Sequence, residues 1–232
     1  ISFSTKIALY FSLIFVVIGG VGFYILEYNN SLANQSVGES VITSLFQSVT
    51  RTSGFSTVDF DASDGYGLGI PFMILMLFLM FVGSSSSSTG GGIKTSTFAI
   101  IWASFTKTIR GKKHTAIFNR TISQDLIGKA FAVLLIFIGG NLICIFALSI
   151  TEAEILASQG RTILDLVFEE VSAFGTVGLS TGITADLSEA GKYIIVVSMF
   201  VGRVGTLTIA YLFGKKLLSR NYKYPSGHTM VG

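Results

Sequence analysis

Long apolar runs alternate with short amphipathic ones along the chain. Residues 7–28 carry no charge before Glu27, residues 126–150 have only Lys129 near their start, and residues 192–213 are apolar after Lys192 except for Arg203 in the middle. A helix of about 20 apolar residues crosses the ~30 Å hydrocarbon core of a bilayer, so each run predicts a spanning helix. Residues 70–105 predict a fourth, interrupted one. Their first part, 71–82, is strongly apolar; then come Gly83, the run Ser84 to Ser88, Thr89, Gly90, Gly91, Gly92, Ile93 and Lys94, and a second apolar run to Phe105. Irregular backbone at that depth is tolerated only where protein buries it or water lines it.

Two shorter segments have a different pattern. Residues 40–50 and 161–174 are helix-like and amphipathic, and would reach roughly 16 and 21 Å, about half a bilayer. Each runs into a short Thr/Gly stretch, Arg51-Thr52-Ser53-Gly54-Phe55 and Gly175-Thr176-Val177-Gly178-Leu179. A half-span helix followed by an extended glycine-containing segment predicts a re-entrant pore loop. The pattern occurs twice: Thr52 and Thr176 are 124 positions apart, and Gly83 and Gly202 are 119 apart. The predicted fold is therefore an all-α membrane protein. It has two parallel repeats of transmembrane helix, pore loop and transmembrane helix, with the second helix of the first repeat broken by the intramembrane Gly/Ser loop. The expected divisions are 1–106 and 126–214 for the repeats, 107–125 for a basic cytoplasmic loop, and 215–232 for a cytoplasmic tail.

Composition agrees. Of the 232 residues 50% are hydrophobic and 12% charged, against about 25% charged in soluble domains. That excludes a disordered chain. A single cysteine, Cys144, excludes an intrachain disulfide and reads as helix packing, and two histidines leave little for a metal site. The start at Ile1, with no basic leader and cleavage site, reads as a piece of a longer protein. Twelve of the 16 basic residues fall at or near one predicted membrane face, and 12 of the 13 acids, all but Asp125, fall on the other side of the spans. The positive-inside rule then places both ends and the 107–120 loop in the cytoplasm. That loop reads as a topology signal, a lipid head-group contact or a cytosolic partner site.

The glycine stretches carry the candidate chemistry. An alkali cation that sheds its water needs stacked backbone carbonyls around a pore, and glycine permits the backbone angles that point them inward. Thr176-Val177-Gly178-Leu179 is close to the Thr-Val-Gly-Tyr-Gly filter of potassium channels. A serine hydrolase built on Ser84 to Ser88 lacks a base within reach, since both histidines fall in cytoplasmic segments, so no enzyme is expected.

These stretches, with Thr89-Gly90-Gly91-Gly92-Ile93-Lys94, Ser172-Ala173-Phe174 and Gly202-Arg203-Val204-Gly205, resemble the Trk/Ktr/HKT superfamily of potassium transporters, most of all the membrane subunit of Ktr systems. The tail from Tyr224 is similar as well. The resemblance covers the whole chain as the third and fourth of the family's four units. It implies potassium uptake across the plasma (inner) membrane, with potassium held by filter carbonyls at Thr52, Ser53, Gly54, Phe55, Thr176, Val177, Gly178 and Leu179. It implies a gate at Gly83, Gly90, Gly91, Gly92, Lys94 and Arg203. It further implies a homodimer completed by the N-terminal half of the same protein, a cytosolic KtrA/TrkA-like ring carrying ATP/ADP or NAD, and no nucleic acid. One departure is a residue fewer between Thr50 and Arg51 than the family commonly has. Sodium-permeable or sodium-coupled transport and a non-conducting membrane subunit are the alternatives; both filter glycines are present, which favours potassium.

Several residues carry two readings. A mid-membrane Arg203 needs a partner or water, and is either a pore barrier or latch, or a brace on helix-end carbonyls. Lys94 contacts the loop or extends to the cytoplasm. Arg51 braces the filter strand or faces the outer vestibule. Asp59, Asp61, Asp64, Glu169 and Glu170 concentrate cations or are solvated, with Glu170 near enough to hydrogen-bond the filter.

Overall fold

The computed structural model describes residues 2–58, 60, 67–85, 88–158 and 161–204. Asp59, Asp61, Asp64, Ser86, Ser87, Gly205 and the end of the last predicted span, with the tail, lie outside them.

Helix α1, Phe3–Leu26, and helix α5, Gln124–Thr151, are long and apolar enough to cross a membrane. Each starts on a serine, Ser2 or Ser123, whose hydroxyl accepts the backbone N–H three residues on. Both carry bulky apolar side chains outward: Leu9, Leu13, Val17, Val21 and Ile25 on α1, and Leu135, Leu142, Ile143, Phe146 and Ile150 on α5. A water-soluble helix hides such a face; one surrounded by hydrocarbon shows it.

The short helices are α2, Val37–Thr50, and α7, Ile163–Phe174. Both open with a capping box, Ser36 with Glu39 and Thr162 with Asp165, in which side chain and backbone satisfy one another at the helix start. The short helix of each half thus opens with the same device. Helix α2 lies close on α1 because Gly19 and Gly20 leave no side chain between them. Ser48 then reaches the Val16 carbonyl with its hydroxyl, at 2.7 Å.

The interrupted run divides into α3, Ile70–Phe81, and α4, Thr95–Ile109. Pro71 near the start of α3 suits a position where the N–H has no helical partner. The last long helix, α8, is described over Glu189–Val204. Three elements were not anticipated: helix α6, Ala153–Ser158, a 3-10 turn at Ile183–Ala185, and a two-stranded ribbon, β1 Ala116–Ile117 with β2 Arg120–Thr121. The ribbon is a small exception to the all-α expectation. It lies in the basic 107–125 segment, with Phe118 and Asn119 at φ 46° and 60°, the two left-handed residues of a tight hairpin turn.

One buried cluster runs from α1 through α3 into the second half, joining Phe15, Phe23, Phe72, Met76, Leu79 and Met80 to Phe168 and Val177. Edge-to-face rings continue it: Phe81 on Phe137 at 5.0 Å and Phe137 on Phe174 at 4.9 Å between centroids. The end of α3, the middle of α5 and the end of α7 are thus packed together, where the Gly83 loop and the Gly175 stretch begin.

Candidate functional site

Helix α2 ends at Thr50 and α7 at Phe174, and the chain then turns tightly on each. Ser53 and Gly54 donate to the Thr50 carbonyl at 2.8 and 3.1 Å; Val177 donates to the Ser172 carbonyl at 2.8 Å and Gly178 to the Ser172 hydroxyl at 3.2 Å. Gly54 has φ 75° and Gly178 has φ 96°, values that suit glycine alone. The two glycines face one another. A side chain at Gly54 would strike the Val177 carbonyl, and one at Gly178 would lie 3.7 Å from the Gly54 Cα. Residues 124 positions apart in sequence therefore meet backbone to backbone. A cleft of about 380 Å³ opens there, lined by Gly54, Ser56, Thr57, Phe60, Gly178 and Ser180. Val177 and Leu179 are buried, while Phe55 is 69% exposed and Ser53 is exposed.

The break between α3 and α4 lies beneath. Arg51, in the first glycine stretch, is buried and donates one guanidinium nitrogen to the carbonyls of Leu79 and Val82, both at 2.6 Å, with Phe15 under its plane at 5.2 Å. It does not face an outer vestibule. It satisfies the carbonyls left open where α3 stops.

From Val82 the chain folds on itself. Ile93 donates to the Phe81 carbonyl at 3.1 Å and Thr95 to that of Ser84 at 3.2 Å. Gly83 is pressed against the Gly91 carbonyl, too close for a side chain. Lys94 turns into this loop, donating to the carbonyls of Gly90 and of Ser88, the latter at 3.0 Å. Gly91 donates to the Thr176 hydroxyl at 2.7 Å. From the other side, Gly202 lies directly on the Phe174 carbonyl, bringing α8 near enough for Arg203 to donate to the Thr89 carbonyl at 2.6 Å. Two cations thus hold the carbonyls of residues 88–90. A second cleft of about 450 Å³ extends from Arg203 past Met199, Ser172 and Thr176 to Gly178, Ser180 and Glu169.

The acids are arranged differently from the expectation. Glu170 does not reach the glycine stretch; it is fully buried and accepts from the Ser198 hydroxyl on α8 at 2.7 Å. The roughly 100° of rotation between neighbouring helix positions explains the exchange. Glu169 is the one that faces the stretch, accepting from Ser180 at 2.8 Å and from Thr184.

Two further acids, Glu27 and Glu152, were not singled out, yet both are fully buried. Glu27 follows α1 and accepts from the Gly69 N–H at 2.8 Å, at the start of α3. Glu152 follows α5 and accepts from the Ser188 N–H at 2.9 Å, at the start of α8. They are 125 positions apart, one more than Thr52 and Thr176, and that spacing is visible in the sequence. Burial raises the pKa of Glu152, but the Ser188 N–H and hydroxyl, the Thr151 hydroxyl and the charge of Lys192 outweigh it and hold the carboxyl below its ordinary range.

Among the described residues no group of histidine, cysteine and carboxylate side chains is arranged to hold a metal ion. The convergent polar groups are main-chain carbonyls, hydroxyls and two cations.

The profile of the TrkH family, described as "Cation transport protein", matches residues 1–224. The chain belongs to this family. Ktr system potassium uptake protein D of Bacillus subtilis is 40% identical over 223 residues, 94% of this chain and 46% of that protein. Ktr system potassium uptake protein B of the same organism is 41% identical over 239 residues, 100% of this chain and 50% of that one. Potassium/sodium uptake protein NtpJ of Enterococcus hirae is 35% identical over 236 residues, 100% of this chain and 51% of that protein. The crystal structure of the potassium transporter TrkH from Vibrio parahaemolyticus matches with TM-score 0.62 at 18% identity, over 92% of this chain and 44% of that one. At that identity the likeness shows a shared fold. The chain spans about half the length of the curated relatives it matches.

Proposed function

We propose that this chain forms half of a channel-like pore for potassium uptake across the cell membrane, with two glycine stretches as two walls of a selectivity filter. The observation that carries this reading is the meeting of Gly54 and Gly178, both at positive φ, each at the end of a half-span helix and both lining one cleft. Helices α2 and α7 aim their C-terminal carbonyls, the partially negative ends of their dipoles, toward that point. The names of the Ktr relatives favour potassium as the ion. Homodimers, the remaining two units of the same protein, and a cytosolic ring binding ATP/ADP or NAD complete the proposed assembly; the Ktr relatives are named as parts of a system, which favours further subunits.

The loop of Gly83, Gly90, Gly91 and Gly92 is the proposed gate. Lys94 and Arg203 hold its carbonyls, and their charge repels a cation coming from the filter. The basic 107–120 segment then faces the cytoplasm.

A second reading, sodium permeation, is favoured by one relative, named for potassium and sodium uptake. Expression of the full-length protein in cells lacking potassium uptake separates the two. Restored growth at low potassium with rubidium uptake supports potassium transport; sodium uptake of equal size supports the second reading, and no flux of either ion contradicts both.

A further inference from the structure

Thr176 has an unusual backbone. Its φ is 52°, in the left-handed region that β-branched residues rarely enter. Such a conformation persists only where its surroundings over-determine it. The matching residue of the first repeat, Thr52, has no positive φ, and among the described residues no loop N–H is bonded to it. The backbones of the two stretches thus differ at this position.

What Thr176 has and Thr52 lacks is a neighbour from the loop. The Gly91 N–H donates to Thr176 Oγ1 at 2.7 Å across 85 positions of chain. Gly91 sits so close that a Cβ there would come within 2.8 Å of both the Gly175 carbonyl and Thr176 Oγ1. At this depth an N–H finds no acceptor in lipid, so each group depends on the other. The loop satisfies its donor on the Thr176 hydroxyl, while the left-handed φ of Thr176 is that of a residue just past a helix end, with Thr176 donating to the Ala173 carbonyl and Val177 to that of Ser172.

We infer that the Thr176 hydroxyl is a latch holding the Gly91 loop against the Gly175–Leu179 strand. The end of α7 fixes the Thr176 backbone, with Thr176 donating to the Ala173 carbonyl and Val177 to that of Ser172. The hydroxyl is therefore presented to the loop as a fixed acceptor, and its bond to Gly91 stabilises only the docked position of the loop. Loss of that bond shifts the loop towards its withdrawn position. The inference rests on the filter and gate reading above and adds the residue that links them.

The test is a double-mutant cycle in the full-length protein, read as rubidium uptake per protein inserted in the membrane. Thr176→Val keeps the shape and removes the acceptor; Thr176→Ser keeps the acceptor; Gly91→Ala drives the loop off the strand by steric overlap. One net hydrogen bond corresponds to about a three- to tenfold shift in the open fraction. Thr176→Val is expected to raise uptake by about that factor, with Thr176→Ser near the unmodified protein. In the Gly91→Ala background, Thr176→Val is expected to add less than about twofold, because the latch is already broken. Uptake unchanged or lowered by Thr176→Val overturns the latch. So does an effect of the same size in both backgrounds, which would make Thr176 a plain filter wall. Absence of uptake by the unmodified protein would overturn the transport reading on which the latch rests.

Discussion

Single residues decide whether the proposed pore is open. Arg203 sits in a predicted span, where an arginine costs about 2.5–3.5 kcal/mol on insertion scales. It is retained with its guanidinium on the Thr89 carbonyl. Lys94 holds the neighbouring carbonyls of Ser88 and Gly90. Neither has a carboxylate partner in these bonds, so both leave positive charge at the loop, and Arg203 also lines the cleft that extends to Gly178. Removing Arg203 removes a tether and a barrier together. Arg203→Ala in the full-length protein should raise rubidium uptake several-fold and weaken its dependence on a cytosolic subunit, measured by tracer flux with and without that subunit. A fall in flux from a protein that still folds and inserts would make Arg203 a brace. Lys94→Ala should act in the same direction and less than additively with Arg203→Ala, since both hold residues 88–90.

At the scale of elements, helix ends carry the architecture. Arg51 occupies two carbonyls at the end of α3, and no water or lipid replaces it there. Arg51→Leu should destabilise the protein by about 2–4 kcal/mol, seen as a lower unfolding temperature in detergent. Glu27 and Glu152 each join the end of a first span to the start of its partner. Because Glu152 is held below its ordinary pKa, its contribution is present above the unfolded-state value, about 4, and is lost as pH falls through the lower folded value. Glu152→Gln should lower the unfolding temperature by about 2–8 °C at pH 7. The gap should narrow as the pH drops below about 4; a gap that does not vary with pH would assign the effect to packing. These elements also show how much was legible. The long helices follow from apolar run length, and the short helices from amphipathic pattern plus the Thr/Gly stretches, with the described ends within about four residues. The ribbon at Ala116–Thr121 was hidden because its turn uses Phe118 and Asn119 rather than a glycine pair. Helix α6 is a single turn and a half inside a loop, below what periodicity resolves.

At the scale of the molecule, the two repeats are one body. Phe168 and Val177 of the second half share a buried cluster with Phe15, Phe23 and Met80 of the first. That shared core brings Gly54 and Gly178 face to face. The glycines and the repeat were readable from spacing; which acid faces them was not, because Glu169 and Glu170 differ only in the side of α7 they occupy. Arg203 was recognisable as a costly charge needing a partner, and Arg51 as a brace or a vestibule residue, but the acceptors of both are main-chain carbonyls, and these leave no trace in side-chain identity. The central claim is that the glycine stretches select the ion, and one ratio tests it most directly: rubidium to sodium uptake by the full-length protein, unmodified and with Gly178→Ser. A side chain at φ 96°, 3.7 Å from Gly54, disturbs the strand and its carbonyl spacing. The account predicts a fall in the rubidium-to-sodium ratio of about tenfold or more, on the order of 1.4 kcal/mol of selectivity. An unchanged ratio from protein inserted at normal levels would contradict it.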